Sequence, residues 1–343
     1  MHLREKLNNL WPGVFLAIGV AAVSLAGGSF LGQIIPWTKN LISPTLVAIL
    51  LGCAIRSLLQ LPPRFHAGIS WGIKTVLRAG IVLMGIRLSI LSIFKIGAFA
   101  IGLVTLCITT AVLVTMVFAR WSGISKRLAA LIAAGTSICG VSAILSIAPA
   151  IEADQEEVSY AVVIITLVGL TATLLYPYFI EMVLGLSVIQ AGYFIGTAVH
   201  DTSQVTATGL MYNQLWKHTT EAGLTGLDIA LTTKLVRNTF MVFIIPLITV
   251  WFRFRSVNRK EHEKMKLLSI IPLFVIGYLC MGLFRTLGDI LFIESSFWTD
   301  TQKVLTSLST YLIMIAVASI GLSTNLRKLG HWGVKPLLTG IAA

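Results

Sequence analysis

The stretch GTAVHDTSQVTATG, residues 196–209, places ionisable and hydroxyl-bearing side chains in a region of the sequence that is otherwise apolar. Just before its polar part, Gly192 and Gly196 have the GxxxG spacing that lets two membrane helices approach closely. A broken helix is tolerated at membrane depth where it borders a water-filled cavity. The stretch therefore predicts an interrupted helix that lines a solute site, with a continuous helix held by interhelical hydrogen bonds as the alternative. Seven polar residues carry this prediction: His200, Asp201, Thr202, Ser203, Gln204, Thr206 and Thr208.

The composition of the whole chain indicates an integral membrane protein. Of its 343 residues, 56% are hydrophobic and 12% are charged, and the mean hydropathy is +0.88. Soluble domains carry roughly 25% charged residues. The net charge of +12 comes mostly from basic residues in the connections between apolar runs, which indicates membrane topology and not nucleic-acid binding. Because the sequence lacks strand-like alternation, we expect an all-α polytopic fold in one transporter domain over residues 1–343.

Apolar runs of about 20 residues, the length that crosses a bilayer core, recur along the chain. With a cytoplasmic N-terminus, 17 Lys and Arg residues fall on the cytoplasmic side and 4 on the opposite side, a bias that sets orientation. The acidic segments 152–157 and 294–300 then lie outside. The last apolar run, 331–343, predicts an eleventh span that is incomplete, with an interfacial segment as the alternative. The ten other predicted spans are 13–31, 41–59, 73–92, 97–119, 128–150, 158–181, 188–210, 226–252, 268–292 and 303–324.

A second polar island lies inside the predicted span 128–150. Transporters commonly assemble a midplane site from two discontinuous helices, so this island is the natural partner of the first. Both islands begin with Gly-Thr, but they run in the same direction on this span count and do not form a simple inverted pair. A short similarity between residues 85–102 and 319–340 is instead the candidate for an inverted repeat. The small and polar residues of the second island are Gly135, Thr136, Ser137, Gly140 and Ser142.

Two basic residues lie deep inside a predicted span, where an unpaired charge costs at least ~2.5–3.5 kcal/mol. Lys234 and Arg237 share one helix face at spacing i, i+3, and neither has a carboxylate four residues away. They suit an anionic solute or a carboxylate on another helix, for which Asp201 is the candidate. We expect replacement of either by Ala to abolish anion binding without unfolding the protein. Three further arginines lie nearer span ends, where long side chains can reach the interface: Arg78, Arg87 and Arg285.

Four motifs together resemble one known family: GTSICGVSAI, EEVSYAVVIITLVGLTATLLYP, AGYFIGTAVHDTSQVTATG and KLVRN. The chain is similar over most of its length to the sulfate exporter family of bacterial inner-membrane proteins, grouped with the bile-acid, arsenite and riboflavin transporter-like superfamily. The resemblance implies a transporter of ten to eleven spans with crossing discontinuous helices, and sulfate or a related small anion as its solute.

We therefore expect a secondary active transporter of a small anion in the bacterial inner membrane, working by alternating access between two broken helices. No cofactor, nucleic-acid partner or enzymatic activity is expected, and no phosphate-binding GxxxxGK[ST] motif indicates ATP drive. A coupling proton or Na⁺, the lipid bilayer and a second copy of the chain are the other expected partners. The predicted substrate-binding residues are Gly135, Thr136, Ser137, Cys139, Gly140, Ser142, Gly196, Thr197, His200, Asp201, Thr202, Ser203, Gln204, Lys234, Arg237 and Asn238.

Three other functions compete with this one. A cation–proton antiporter would use Asp201 to bind Na⁺ or H⁺, with Lys234 as its partner. An intramembrane enzyme would use Cys139, His200 and Asp201, but Cys139 lies among apolar and small residues that favour an unreactive thiol. A channel would need the same polar path, so the sequence leaves that alternative open.

Overall fold

The computed structural model describes residues 2–34, 43–59, 61–253, 273–292 and 295–324. In these ranges the chain is helical apart from short connections and one isolated bridge between Thr219 and Thr225, which confirms the all-α polytopic fold. Seven helical stretches among them are long and apolar enough to cross a membrane. The predicted eleventh span and most of the basic loop 253–266 lie outside the described residues.

The helices follow one another along the chain with short connections. Pro63–Arg87 forms one bent span made of short helical pieces, two of which are α3 and α4. The helices are α1 His2–Ile34, α2 Pro44–Leu58, α3 His66–Trp71, α4 Leu77–Met84, α5 Ile90–Ser122, α6 Lys126–Ser137, α7 Val141–Ile147, α8 Gln155–Phe179, α9 Val188–Ala198, α10 Thr202–Trp216, α11 Gly226–Thr239, α12 Met241–Arg253, α13 Leu273–Leu291 and α14 Ser296–Ser323.

Side chains at the first turns fix where several of these helices begin. A capping box pairs a short polar residue at the N-cap with an acid or amide three residues later, so two unsatisfied backbone N–H groups gain acceptors. This arrangement starts four consecutive helices, from α8 to α11. The N-cap residues are Asp154 for α8, Ser187 for α9, Asp201 for α10 and Thr225 for α11.

Close glycine contacts hold α14 against α2 and α4. A Cβ on Gly52 of α2 would lie 2.7 Å from the backbone nitrogen of Leu322, and one on Gly80 of α4 would lie 3.0 Å from Ile313 Cγ1. Ser309 adds a hydrogen bond from its hydroxyl to the Gly80 carbonyl at 2.7 Å. Because small residues let helix backbones approach, these contacts build a rigid bundle beside the polar islands.

Helices α6 and α7 fold back on each other as hairpin 1 and do not form a single span. The start of α6 lies beside the start of α8, because the Ser125 hydroxyl donates to Glu157. Arg127 Nη1 also lies 3.8 Å from Asp154 Oδ2. Both ends of the hairpin are therefore on one side of the bundle, which we call the basic face because residues 120–127 also lie there.

The interior contacts of hairpin 1 show how it ends in mid-membrane. A Cβ on Gly135 would lie within 3.0 Å of Ile144 Cδ1, so the two arms touch. Helix α6 has 12 residues and is roughly 18 Å long at 1.5 Å per residue, too short for a bilayer core of about 30 Å. The prediction that residues 128–150 cross the membrane is wrong, because this segment returns to the basic face.

Helices α9 and α10 form hairpin 2, which starts from the opposite side. The end of α10 lies beside the end of α8: Tyr212 donates its hydroxyl to Glu181 Oε2 at 3.4 Å, and the Tyr178 and Trp216 rings are 5.7 Å apart. Since α8 crosses away from the basic face, both ends of this hairpin lie on the other side, which we call the far face. The predicted span 188–210 is therefore also re-entrant.

The two hairpins change the predicted sides of the two connections that flank α8, because α8 now crosses away from the basic face. The acidic segment 152–157 lies on the basic face, beside the start of α6, and not on the opposite side as predicted. Each hairpin removes one predicted membrane crossing. Because two crossings are removed, the segments after residue 217 lie on the sides that the sequence predicts. Residues 151–187 contain no Lys or Arg, so the charge bias held no information about their side.

The hairpins also account for the direction of the two Gly-Thr islands. Helix α6 ends at Ser137 and α7 begins at Val141, while α9 ends at Ala198 and α10 begins at Thr202. Each break thus spans three residues, and the two units approach from opposite faces. The inverted pair lies in these hairpins, and part of the similarity proposed for 319–340 falls outside the described residues.

Candidate functional site

The tips of the two hairpins meet inside the bundle. Tip 1 comprises residues 138–140 and tip 2 comprises residues 199–201. Gly140 has φ 66°, and a Cβ on it would lie 3.4 Å from both Cβ and Oδ2 of Asp201. The sequence prediction that two interrupted helices come together in the membrane is in agreement with this contact.

Lys234 of α11 joins the two tips. Its ammonium donates to the carbonyl oxygens of Ile138 and Val199, each at 3.0 Å, and to that of His200. The side chain is completely buried. All three ammonium protons therefore have backbone acceptors, one from tip 1 and two from tip 2.

Arg237 makes a second connection one turn further along α11. Its Nε donates to the Ser137 carbonyl at 2.9 Å and its Nη1 to the Thr197 carbonyl at 2.6 Å, while its Nη2 donates to Thr136. These carbonyls belong to the last turns of α6 and α9. The rigid fork of the guanidinium thus ties together two helix ends that approach from opposite faces.

The acceptors of both cations explain why charge is tolerated here. The last four carbonyls of a helix lack intrahelical donors and carry the negative end of the helix dipole. Lys234 and Arg237 satisfy these groups at two helix C-termini at once. The expectation of unpaired cations that face a solute, or that pair with Asp201, is therefore corrected: their donors are directed at the backbone of the tips.

Asp201 instead organises the start of α10. Its Oδ1 accepts from the backbone nitrogen of Ser203 at 2.8 Å, and its own N–H donates to Gln204 Oε1 at 3.2 Å. The Gln204 amide also donates to the Thr166 carbonyl at 3.3 Å, which fastens tip 2 to α8. Asp201 remains half-buried, so its carboxylate lies next to the junction without closing it.

Three buried polar atoms at the junction have no hydrogen-bond partner among the described residues. They are the Ser137 hydroxyl, Nδ1 of His200 and Oδ1 of Asn238. The Asn238 amide nitrogen donates to Thr202 at 3.1 Å, so its oxygen is the atom left over. Buried polar groups are nearly always satisfied, so these three atoms are the side-chain groups at the junction with unused hydrogen-bonding capacity.

Not every predicted site residue contributes a polar group to the junction. Gly135 packs within hairpin 1, and Gly196 packs against Thr233 of α11. Cys139 Sγ lies 3.3 Å from Met241 Sδ, whereas Ser142 is exposed on the outer side of α7.

A buried ion pair near the far face was missed by the sequence analysis. Arg87 Nε lies 2.8 Å from Asp228 Oδ1, and Asp228 is fully buried. The sequence predicts that Arg87 reaches the interface, and Asp228 is not among the predicted site residues. Sequence separation hides such a pair, although two opposite charges within apolar spans were a usable signal. The other two arginines also have local partners: Arg285 with Asp289 at 2.7 Å, and Arg78 over the Phe274 ring.

A family model described as conserved hypothetical protein 698 matches residues 12–340 of this chain. The chain belongs to this family. A UPF0324 membrane protein of Streptococcus agalactiae is 30% identical over 342 residues, which cover 100% of this chain and 94% of the relative. UPF0324 membrane proteins of Streptococcus pyogenes and Bacillus anthracis are 33% and 31% identical, over 99% and 96% of this chain and 93% and 88% of the relatives. No solved structure matches the chain.

Membership of the conserved hypothetical protein 698 family agrees with the fold. The relatives are named as membrane proteins, and the described part of this chain contains seven apolar helices of spanning length, so the protein is a multi-pass membrane protein. Within that frame, the hairpin junction is the place where buried polar chemistry concentrates.

Proposed function

We propose that this protein is a secondary transporter of a small, sulfate-like anion, which binds where the tips of hairpins 1 and 2 meet. The observation that carries the proposal is the set of unpartnered polar atoms on Ser137, His200 and Asn238 beside two buried cations. Re-entrant helices that meet at the midplane are the usual architecture of such sites. The sulfate exporter resemblance points to the same class of solute.

The balance of charge favours an anion over a cation. Lys234 and Arg237 contribute two positive charges, and Asp201 contributes one negative charge at the same junction. An anion would neutralise the excess, whereas Na⁺ would add to it in a medium where unbalanced charge is costly. The cations would act through their electric field, because their N–H groups already donate to the hairpin tips. We assign the direct solute contacts to the Ser137 hydroxyl and the His200 ring, whose polar atoms have no partner among the described residues.

Transport would require each tip to become accessible from its own face in turn. In this structure Ser137, His200 and Asn238 are all buried, so the junction is closed to both faces. Because α11 holds both tips, we propose that the hairpins and α11 move as one body against the bundle of α1, α2, α4 and α14. The protein would work without a cofactor in the bacterial inner membrane, with its N-terminus in the cytoplasm, and a proton carried on His200 or Asp201 is the proposed coupling ion.

The cation–proton antiporter is the second candidate, because Asp201 is half-buried beside tip 1. Reconstituted protein separates the two functions. An anion transporter should take up radiolabelled sulfate or exchange it for unlabelled sulfate, whereas an antiporter should change the internal pH when a Na⁺ gradient is imposed. A pH change without any labelled-oxyanion flux would reject the proposed function.

Ser137→Ala is the sharpest variant for testing the binding site. Removal of a buried hydroxyl without a partner should leave the unliganded protein equally stable or slightly more stable, because a desolvation cost disappears. If that hydroxyl binds the solute, sulfate affinity should fall about fivefold or more, which is the range of one neutral hydrogen bond. Thermal unfolding measured with and without sulfate at constant ionic strength reports both quantities.

Thr233→Val is the matched control for Ser137→Ala. Thr233 is buried on α11 next to Lys234, and its hydroxyl donates to the Ile229 carbonyl of its own helix. This isosteric change should leave the sulfate affinity unchanged. Equal affinity of Ser137→Ala, Thr233→Val and the unmodified protein would place the solute elsewhere.

A further inference from the structure

A cleft at the far face, separate from the hairpin junction, is lined by three cationic side chains. It has a volume of about 370 Å³ and is open to solvent. Arg87, Arg285 and Lys303 form its charged wall. No acidic residue is among the described residues that line it, and the remaining lining side chains are hydroxyls and one amide of α14: Thr299, Gln302, Thr306 and Ser307.

The acidic partners of Arg285 and Lys303 are not among the described residues that line the cleft. Arg285 Nε lies 2.7 Å from Asp289 Oδ2, and Lys303 lies 3.2 Å from Asp300. Asp289 is held in turn by Trp298, whose ring nitrogen donates to it at 2.8 Å. The Gln302 amide also donates to Asp289, at 3.1 Å, so these carboxylates orient neighbouring cleft side chains without lining the cleft themselves.

Guanidinium nitrogens remain available on the cleft side. Arg87 contacts Asp228 through Nε, and Arg285 uses Nε and Nη1 for Asp289 and the Ile86 carbonyl. Within the described part of the chain, neither Nη group of Arg87 nor Nη2 of Arg285 has a partner. Planar guanidinium groups with free Nη atoms bind tetrahedral or planar oxyanions in a bidentate manner.

We propose that this cleft binds a small oxyanion group of the sulfate or phosphate type. Arg87 and Arg285 supply charge-assisted hydrogen bonds, Lys303 adds a point charge, and the α14 hydroxyls fill the remaining acceptor positions of the ion. The bound group is either a soluble ion or the headgroup of an anionic lipid, since both present the same oxygens.

The position of the cleft connects it with the hairpin junction. Arg87 reaches Asp228 in the first turn of α11, and Lys234 lies roughly 9 Å further along the same helix at 1.5 Å per residue. An oxyanion on the Nη atoms of Arg87 would therefore share one guanidinium with Asp228, which contacts Nε. The binding step depends on the cleft alone, whereas a role as the mouth of a transport path rests on the proposed function.

The occupancy of the cleft can be measured with a cysteine placed in its wall. Ser307 is exposed in the cleft, and the Ser307→Cys change adds only sulfur in place of oxygen. With the exposed Cys280 replaced by Ser, an uncharged thiol reagent should modify Cys at this position at a rate that sulfate slows saturably. Measurements in neutral detergent at constant ionic strength, with chloride as the balancing anion, remove the effect of general screening.

Arg285→Gln should raise the sulfate concentration for half-protection about tenfold or more, because it removes a charged donor and retains an amide of similar reach. Lys95→Gln, an exposed lysine outside the cleft, is the charge-matched control and should leave the protection unchanged. Absence of protection beyond that given by chloride, or equal protection in Arg285→Gln, would overturn the site.

A lipid arm of the same experiment identifies the source of the oxyanion. In nanodiscs, protection by phosphatidylglycerol but not by sulfate, lost in Arg285→Gln, would assign the cleft to a lipid headgroup and uphold the oxyanion site. Failure of both sulfate and lipid would reject it. If the cleft is protected but the protein transports no labelled oxyanion, the cleft site is upheld and the proposed function is rejected. If the protein transports labelled oxyanion but the cleft is not protected, the proposed function is upheld and the cleft site is rejected.

Discussion

Gly140 shows at the scale of one residue how tip 1 is made. Its φ of 66° and ψ of −125° lie in a region of backbone space that is essentially restricted to glycine. The conformation turns the chain from α6 into α7 within three residues and brings it against Asp201. A side chain at this position would have to strain the backbone and press on tip 2 at the same time.

Gly140→Ala should therefore destabilise the protein by ~1–3 kcal/mol, the usual cost of a non-glycine residue in such a conformation. Gly102→Ala is the control, because Gly102 lies within α5 and a Cβ there would meet nothing within 4 Å. Thermal unfolding in detergent, monitored by the loss of the folded peak in size-exclusion chromatography, should give a lower midpoint for Gly140→Ala than for Gly102→Ala. Similar midpoints for both would mean that tip 1 has another conformation.

Lys234 provides the second prediction at this scale. Lys234→Met keeps most of the side-chain volume but leaves the carbonyls of Ile138 and His200 without their side-chain donor, and that of Val199 with Arg237 Nη1 alone at 3.3 Å. Each buried acceptor left unsatisfied costs ~1–3 kcal/mol, so the unfolding midpoint should fall markedly. Lys95→Met, at an exposed position, should have little effect. A stable Lys234→Met protein that has lost only its anion affinity would restore the direct solute contact expected from the sequence.

At the scale of elements, hairpins 1 and 2 are defined by helix length and by what their ends contact. Neither α6 nor α9 is long enough to cross a bilayer core, with 12 and 11 residues respectively. Their C-terminal carbonyls would be unsatisfied in the membrane without the donors of α11. The hairpins and α11 therefore stabilise one another through these hydrogen bonds. A sequence pattern of separate spans does not predict this dependence.

Cysteine accessibility tests the re-entrant path of hairpin 1. Glu156→Cys and Lys126→Cys should both react with a membrane-impermeant thiol reagent from the same side of sealed vesicles, since α6 and α8 start on the basic face. Glu221→Cys, in the connection after hairpin 2, should react from the opposite side. All three positions are exposed. Labelling of Glu156→Cys from the side of Glu221→Cys would show that residues 128–150 do cross the membrane.

At the scale of the whole molecule, the Arg87–Asp228 pair joins two groups of helices. Arg87 ends the bent span beside α13 and α14, and Asp228 begins the helix that holds both hairpin tips. Asp228 Oδ2 also accepts from the backbone and hydroxyl of Thr225. A movement of the hairpin body against the rest of the bundle would strain or break this contact.

Arg87→Gln should lower the unfolding midpoint more than the double variant Arg87→Gln with Asp228→Asn. The single change leaves a buried carboxylate without its cation, a loss of ~3–5 kcal/mol in buried pairs, whereas the double change removes both charges. A double-mutant cycle over the two positions measures the coupling. Additive effects of the two single changes would show that the charges act independently.

Much of the fold could be predicted from the sequence, because it depends on composition and on local chemistry. Sustained apolarity indicates a helical membrane protein, and the polar islands at residues 135–142 and 196–208 mark the two interruptions. The 17-to-4 bias of basic residues predicts which connections share a face. It could not distinguish two spans from two hairpins, since residues 151–187 carry no Lys or Arg.

Only the tertiary structure decided what the buried polar groups contact. The acceptors of Lys234 and Arg237 are backbone carbonyls, and a carbonyl has no side-chain signature that a sequence can reveal. Arg87 and Asp228 are distant in sequence, so their contact depends on how the end of the bent span Pro63–Arg87 packs against α11. The sequence by itself determined that charges and helix breaks lie within the membrane, because the free energy of transferring a residue into lipid depends on that residue and its near neighbours. Which groups provide the hydrogen-bond partners of those charges and free carbonyls depends on how distant helices pack together.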